Sequence, residues 1–521
     1  MHPALEIREI VQSVFGHVGR PSSGYDLKTL AMLARTCTAF CDPALDLLWA
    51  EQHNLKALMG CFPGDLFLEV DLVAFRRAAP PSHFARRIVQ DLGIRRPITK
   101  EDWDRPLLYS HRVKALYLDN SIGTASASTS AFYDICLAFP GSHLFPNLRT
   151  LQADLSSAYR EIQPARVIPF LLAPGIERIT IALRQIDTAS HFLPTLPQRC
   201  PSITYLDISN WDNGDTQSSS AVVQNLPQMQ ELRVYSLNRQ ALEYVRRLPT
   251  LKTLLIEDFT VDLPVDDNAD AHSYSSLKDL EFGRTRVHRV TEFLKITRNC
   301  SLQRLHIGSF ESETATAANM ASLFSTLAAQ RCSHTSLRTI RYHTRSSNSP
   351  PSDPDIYALT GHMIRPLFRF TNMVTVTIYQ PCGLDITDDD VSQLASAWPC
   401  LEFLSLGGIY QVASRVTLHA LYVLASHCPR LLSLSISLDA TLVPALLTSI
   451  FDHPLQYIYV GRAAITEPAP VARYIATMFP ATRVKAWADI ETPRNSQETV
   501  YHGRWRIVSE DLVTIQSSNH T

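Results

Sequence analysis

Cys200-Pro201-Ser202-Ile203-Thr204-Tyr205-Leu206-Asp207-Ile208-Ser209 is the stretch whose reading decides the fold. Ile203, Leu206 and Ile208 stand at the first, fourth and sixth positions of a short run in which polar and apolar residues alternate. That period of two is the signature of a strand with one buried and one solvated face. Pro201 sits just ahead of it, where a preceding helix has ended and no ladder donor is yet required.

The same pattern recurs outward in both directions, about thirteen times in order. It reads Val113-Leu116-Leu118, Leu148-Leu151-Ala153, Ile176-Ile179-Ile181, then the quoted copy, Met229-Leu232-Val234, Leu251-Leu254-Ile256 and Leu277-Leu280-Phe282. It continues as Leu302-Leu305-Ile307, Leu337-Ile340-Tyr342, Met373-Val376-Ile378, Leu401-Leu404-Leu406, Leu431-Leu434-Ile436 and Leu455-Ile458-Val460. Pro174, Pro227, Pro249 and Pro429 hold the place of Pro201 in other copies, and Pro454 stands one residue nearer its strand. Between copies lie helically spaced runs such as 241–245, 320–327 and 418–424. One strand and one helix cannot bury their own apolar faces, so neighbours must stack. The expectation is an α/β solenoid over 111–489, with a curved parallel sheet inside and helices outside. Loops at 265–268 and 345–351 read as exposed insertions.

The spacing of about 28 residues resembles that of the leucine-rich-repeat superfamily, in a form without a strict asparagine after the strand. That resemblance implies protein recognition on the concave face. Side-chain alternation places one column there: Tyr117, Gln152, Thr180, Asp207, Arg233, Leu255, Glu281, His306, Arg341, Thr377, Ser405, Ser435 and Tyr459. With flanking positions added, Glu257, Asp279 and Glu281 form an acidic group, and Arg304, His306, Arg341 and His343 a basic one. The uneven charge reads either as an ordinary mixed surface or as a site where an unknown protein substrate spans the change of sign.

The first fifty residues do not repeat. Ile7, Ile10, Val11, Val14 and Phe15 share one helical face, a loop through Gly19 and Gly24 follows, and a second helix runs through Leu27, Leu30, Leu33, Ala34 and Cys37. Asp42 before Pro43 reads as the capped start of a third helix, leading to Leu45, Leu48 and Trp49. This module, 1–52, resembles an F-box in Ile7-Arg8-Glu9-Ile10-Val11 with Val14-Phe15, in Leu33-Ala34-Arg35-Thr36-Cys37-Thr38-Ala39-Phe40, and in Pro43-Ala44-Leu45-Asp46-Leu47-Leu48-Trp49. Arg8 stands at the usual proline position and Thr38 where a basic residue is common. The resemblance implies docking on a Skp-type linker protein, and through it on a cullin-RING (SCF-type) ubiquitin ligase, with Ile7, Ile10, Val14, Phe15, Leu33, Leu48 and Trp49 as interface or support. The alternative expectation is an interaction scaffold unconnected to ubiquitin, whose N-terminal helices only cap the array. Helical linker and cap material is expected over 53–110, including Arg86-Arg87 and Arg95-Arg96. A C-terminal cap and tail is expected over 490–521, with Trp505-Arg506-Ile507-Val508 as a last strand.

The chain has 521 residues, 48 basic and 50 acidic, for a formal charge of -2. That balance lacks the dense basic face that phosphate binding requires, so nucleic acid is not an expected partner. Neither a signal-like N-terminus nor a membrane-length apolar run is read, so the expected location is cytoplasmic or nuclear, with the ten cysteines as free thiols. Cys37, Cys41, His53 and Cys61 fit no compact zinc spacing, and Cys200, Cys300 and Cys428 fall where outer helices return to strands, so buried thiols are expected and no metal. Thr387-Asp388-Asp389-Asp390 reads as a capped helix start. Nucleophile-elbow, phosphate-loop, zincin and dinucleotide motifs are not found, so no catalytic residue and no cofactor is expected.

Overall fold

The computed structural model describes residues 7–18, 26–77, 84–118, 129–155, 167–183, 192–209, 216–261, 274–297, 299–309, 315–344, 353–408, 414–445, 453–461, 463–486 and 496–519. The turn at 19–24 and the inserts at 265–268 and 345–351 lie outside them. Two compact units divide the chain, Met1–Tyr244 and Val245–Thr521.

The first unit opens with helices α1 (Arg8–Phe15), α2 (Leu27–Leu33) and α3 (Thr38–Ala50). Asp26 starts α2 by accepting hydrogen bonds from the Lys28 and Thr29 amides at 3.1 and 3.3 Å. Val11, Phe15, Leu30 and Ala44 form the core of the module, with Leu33, Phe40, Leu47 and Leu48 packed against it. The start of α3 corrects the expectation. It begins at Thr38, four residues ahead of Asp42, and Pro43 lies inside it. A proline this close to the start forfeits one early backbone bond, and its burial with Ala44 offsets that loss. Freed from capping, the Asp42 carboxylate pairs with Arg112 at 2.6 Å.

Strand β1 (Glu51–Gln52) follows α3 directly. The helical material expected over 53–110 is found only in part, as Lys56–Met59, Asp104–Ser110 and two short 3-10 turns. Its centre is instead an antiparallel hairpin, β2 (Phe67–Arg77) with β3 (Phe84–Ile94), paired from Phe67↔Ile94 to Arg77↔Phe84. The alternation in Leu68-Glu69-Val70-Asp71-Leu72 has the period of a strand, and it prevails.

Parallel strands β4 (Ala115–Leu118), β5 (Thr150–Leu155), β6 (Arg178–Leu183), β7 (Tyr205–Ile208) and β8 (Glu231–Val234) then pair in sequence, and β1 pairs with β4. Leu116, Leu151, Ile179, Leu206 and Leu232 at the fourth motif position are all fully buried and lie side by side in the ladder. Burial of each such side chain contributes roughly 1.5–3 kcal/mol, and none could be buried by its own repeat.

The second unit repeats the scheme with β9 (Thr253–Phe259), β10 (Asp279–Thr285), β11 (Arg304–Ser309), β12 (Thr339–Thr344), β13 (Leu359–Thr360), β14 (Thr375–Tyr379), β15 (Leu384–Asp385), β16 (Phe403–Gly407), β17 (Ser433–Ile436), β18 (Asp439–Ala440), β19 (Tyr457–Gly461), β20 (Ala464–Ile465) and β21 (Arg483–Ala486). Parallel pairing runs β9-β10-β11-β12-β14-β16-β17-β19-β21, while β13-β15 and β18-β20 form separate two-stranded pairs. Helices such as Val287–Ile296, Ala317–Ala328, Asp388–Ala397 and His419–His427 connect the strands. This strand-and-helix succession with in-register parallel pairing is a leucine-rich-repeat type of architecture.

Buried polar side chains take over the stitching that a regular asparagine would provide. Ser333 donates to the Cys300 carbonyl at 3.0 Å and accepts from the Leu302 amide at 3.1 Å. Gln330 donates to the Leu294 carbonyl at 2.9 Å, and His453 to that of Cys428 at 2.9 Å. These bonds engage backbone carbonyls and one amide at the turns between helix and strand.

The C-terminus is a second correction. Trp505–Val508 belongs not to a strand but to the helix Ser496–Asn519. Trp505, Val508 and Leu512 are buried at three-and-four spacing, which is helical. Trp505 donates its indole N–H to the Ala463 carbonyl at 2.8 Å, and Gln516 donates to that of Thr482 at 2.9 Å, closing the open end of the ladder.

Candidate protein-binding surfaces

The N-terminal module divides its apolar residues between two environments. Phe15 is 4% exposed and meets Phe40 edge-on at 5.2 Å, and Leu33 and Leu48 are half-buried against the same core. Trp49 is buried and stacks on Tyr109 at 4.6 Å, so it faces the helix Asp104–Ser110. Ile7, Ile10 and Val14 are 48%, 39% and 50% exposed, and α2 adds Leu27 and Met32 at 55% and 56%. Of the seven docking candidates, three therefore lie on the surface and four pack inside.

Charged groups fix how this module is held. Arg8 donates to Asp46 at 2.8 Å, Gln12 reaches the same oxygen at 3.3 Å, and Arg112 bridges Asp46 and Asp42. The residue at the usual proline position thus ties α1 to α3. Nearby, the buried carboxylate of Asp102 accepts two N–H bonds from Arg96 at 2.7 and 2.8 Å and one from the Thr99 amide at 2.8 Å. These bonds, the Arg96 pair first, hold its pKa well below the usual carboxylate range despite burial.

On the sheet, backbone pairing places the column residues side by side. Tyr117, Gln152, Thr180, Asp207 and Arg233 are directly opposite one another in the first unit. Leu255, Glu281, His306, Arg341, Thr377, Ser405, Ser435 and Tyr459 are so in the second, where Lys485 extends the row. Most are half-buried or exposed between fully buried neighbours; Leu255 is buried.

In the first unit this face is partly occupied by its own groups. His53 stacks on Tyr117 at 5.1 Å, the Arg178 guanidinium lies 3.9 Å over the Tyr205 ring, and Asp207 accepts from the Ser209 hydroxyl and amide at 2.7 and 3.1 Å.

In the second unit the acidic and basic groups are not separate fields. Arg304 and Asp279 form a two-fold pair at 2.7 Å, His306 lies 3.9 Å from Glu281, and Arg284 lies 3.7 Å from Glu257. Adjacent strands neutralise one another, so the expected change of sign is largely cancelled at β10 and β11. Arg341 and His343 on β12 are exposed, and Arg341 has no ion pair among the described residues.

Of the row two residues earlier along each strand, Asp279 and Arg304 were among the sequence candidates, but the residues toward its end were not. That end aligns Phe403, Ser433, Tyr457 and Arg483. Phe403 is 42% exposed, Tyr457 and Tyr459 stack at 6.3 Å, and the Lys485 ammonium lies 5.3 and 5.9 Å from their ring centres. Alternation in Arg483-Val484-Lys485-Ala486 would have revealed the last strand; its lack of leucine hid it.

The cysteines at helix returns are buried, and burial raises their thiols to about 11 at Cys200 and about 12 at Cys300 and Cys428. Cys61 is buried with its thiol on the Ala57 carbonyl at 3.3 Å. Among the described residues no group of three or more His, Cys, Asp and Glu is arranged to hold a metal. Thr387 and Asp390 form a reciprocal capping box. No helix among the described residues is long and apolar enough to cross a membrane.

Comparison with known proteins adds little. No family model matches the chain, and no curated relative does. Among solved structures, the chain is similar to the APL1 leucine-rich repeat domain, at 10% identity over 72% of this chain and 73% of that one, with a TM-score of 0.26.

Proposed function

We propose that this chain is a substrate-recognition adaptor of an SCF-type ubiquitin ligase: the N-terminal module docks on a Skp-type linker and the inward sheet face holds a protein substrate. The observation that carries the reading is the exposure of Ile7, Ile10 and Val14 along α1 beside a module core that is already complete without them. Apolar side chains left in water on a small module are a cost that a partner relieves. The F-box resemblance names that partner. No chemistry is assigned to this chain; its contribution is proximity, bringing substrate lysines to a charged conjugating enzyme. It works with no cofactor and no metal.

The test is co-expression of the full chain with a Skp-type linker and a cullin, followed by size-exclusion chromatography. Co-elution of the three is expected. A full chain that is folded and elutes apart from the linker overturns the ligase reading, and the interaction scaffold then takes its place.

A further inference from the structure

Seven successive ladder strands of the second unit, from Arg304–Ser309 to Arg483–Ala486, contain no Asp or Glu at any position. On their inward positions the cations accumulate. Arg304 is taken by Asp279, but Arg341, Arg483 and Lys485 are exposed and meet no carboxylate among the described residues. Apolar surface adjoins the last two cations on one side: Tyr457 with Tyr459 on the next strand, and Phe403 two strands beyond the tyrosines. Ser433 and Ser435, on the strand between, make a low floor.

From this we infer that the second unit's inward face binds an extended, acidic segment of a protein partner, carrying carboxylates at its ends and a large apolar side chain between them. The apolar side chain seats over the two serines against Phe403 and the tyrosine pair, and the carboxylates meet Arg483 and Lys485 at one end and Arg341 at the other. Five strand steps separate Arg341 from Lys485, about 24 Å at the usual interstrand spacing, which an extended chain of about eight residues spans. Lys485 is exposed with its ammonium 5.3 and 5.9 Å from the tyrosine ring centres, so it offers a carboxylate a cation held beside the apolar surface. A nucleic acid would need cations at the close, regular spacing of phosphates, and three distributed over this length do not supply it. The inference rests on the sheet face being the substrate side of the adaptor, and does not depend on linker docking.

The experiment is selection from a phage-displayed library of random peptides of about twelve residues on the immobilised full chain. It is followed by fluorescence anisotropy of a selected peptide, of the same peptide with Lys replacing each Asp and Glu, and of an oligouridylate of equal length. Enrichment of Asp and Glu flanking an aromatic or leucine is expected. Arg483→Glu with Lys485→Glu should weaken binding about tenfold, as two exposed contacts turn from attraction to repulsion. Arg483→Gln with Lys485→Gln should weaken it less, Phe403→Ser should weaken it with no change in salt dependence, and Arg331→Glu outside the ladder should leave it unchanged. Selection without acidic bias, equal binding by the charge-reversed protein, or preference for the oligouridylate overturns the inference. Linker co-elution is read separately, so either conclusion can fail alone.

Discussion

Replacing Ile7, Ile10 and Val14 together by serine should weaken linker docking by about two orders of magnitude and leave the module folded. Complete burial of an isoleucine or valine side chain contributes roughly 1.5–3 kcal/mol relative to exposure. These three retain 48%, 39% and 50% of their exposure, so about half of that gain remains for a partner to supply. The share is about 1 kcal/mol each and about 3 kcal/mol in all, a loss of roughly 150-fold in Kd. Ile10→Asp alone should approach the same loss, because it adds an unpaired carboxylate to an apolar contact at a cost of about 2 kcal/mol. Each change also gives up the part of the side chain already buried in the module, at most about 1 kcal/mol apiece by the same count, and thermal melts measure that share separately from binding. Phe15→Asp is a different experiment. It places a charge in the core against Val11, Leu30 and Ala44 and should unfold the module, so loss of binding there reports on folding. Isothermal titration with a purified Skp-type linker, paired with thermal melts, separates the two. Triple-serine protein that binds within threefold of the original, or loses affinity only in step with stability, would refute the assignment of α1 as the docking face.

Other outcomes follow from the packed interior. Asp102→Ala should destabilise the first unit by about 3 kcal/mol in denaturant, because Arg96 and the Thr99 amide lose their shared acceptor. Asp102 has a folded pKa below its unfolded value, so its contribution is complete above about pH 4 and is lost as pH falls through the lower folded value; Asp102→Asn should lessen that acid sensitivity. His453 donates through Nε2 to the Cys428 carbonyl and accepts at Nδ1 from the Leu455 amide at 3.3 Å, so it is held neutral, with burial lowering its pKa. Its contribution is complete above about pH 6.5 and is lost as pH falls from there through the folded value, and His453→Gln should flatten the second unit's stability across that window. Trp505→Ala should cost about 3–5 kcal/mol and expose β21, seen as faster amide exchange at Val484.

What the sequence revealed depended on how often a signal was repeated. The inward column was legible residue by residue because every strand begins at the same place in the motif, and a slip of one residue would have exposed Leu206 and buried Asp207. Single-copy segments gave way. The hairpin at Phe67–Ile94 was obscured by neighbouring helical composition, although Leu68-Glu69-Val70-Asp71-Leu72 alternates. Trp505-Arg506-Ile507-Val508 looked strand-like because four residues cannot distinguish a period of two from one of 3.6; Leu512, seven residues after Trp505, decides for the helix. In the module, spacing identified a shared face but not which of its two sides was core. Phe15 and Trp49 turned inward because Phe40 and Tyr109, distant in sequence, supply aromatic partners.

The charges on the sheet carry the same lesson into function. Glu257, Asp279, Glu281, Arg304 and His306 read in order as an acidic block followed by a basic one, and such a boundary suggests a site. Parallel pairing places the blocks on adjacent strands about 4.8 Å apart, where the nearest counterion is a neighbour of the same chain. Arg304, engaged twice by Asp279, offers a ligand only what remains after that pair is broken. Among the described residues Arg341, Arg483 and Lys485 meet no carboxylate, on strands whose companions carry no acid, and they keep their attraction for an incoming one. Recognition should therefore move away from the boundary where sequence order placed it, toward the end of the ladder where Phe403 and the tyrosine pair add apolar contact. A charge contributes to binding according to what its spatial neighbours leave unspent, and in a repeat those neighbours lie about 28 residues away along the chain.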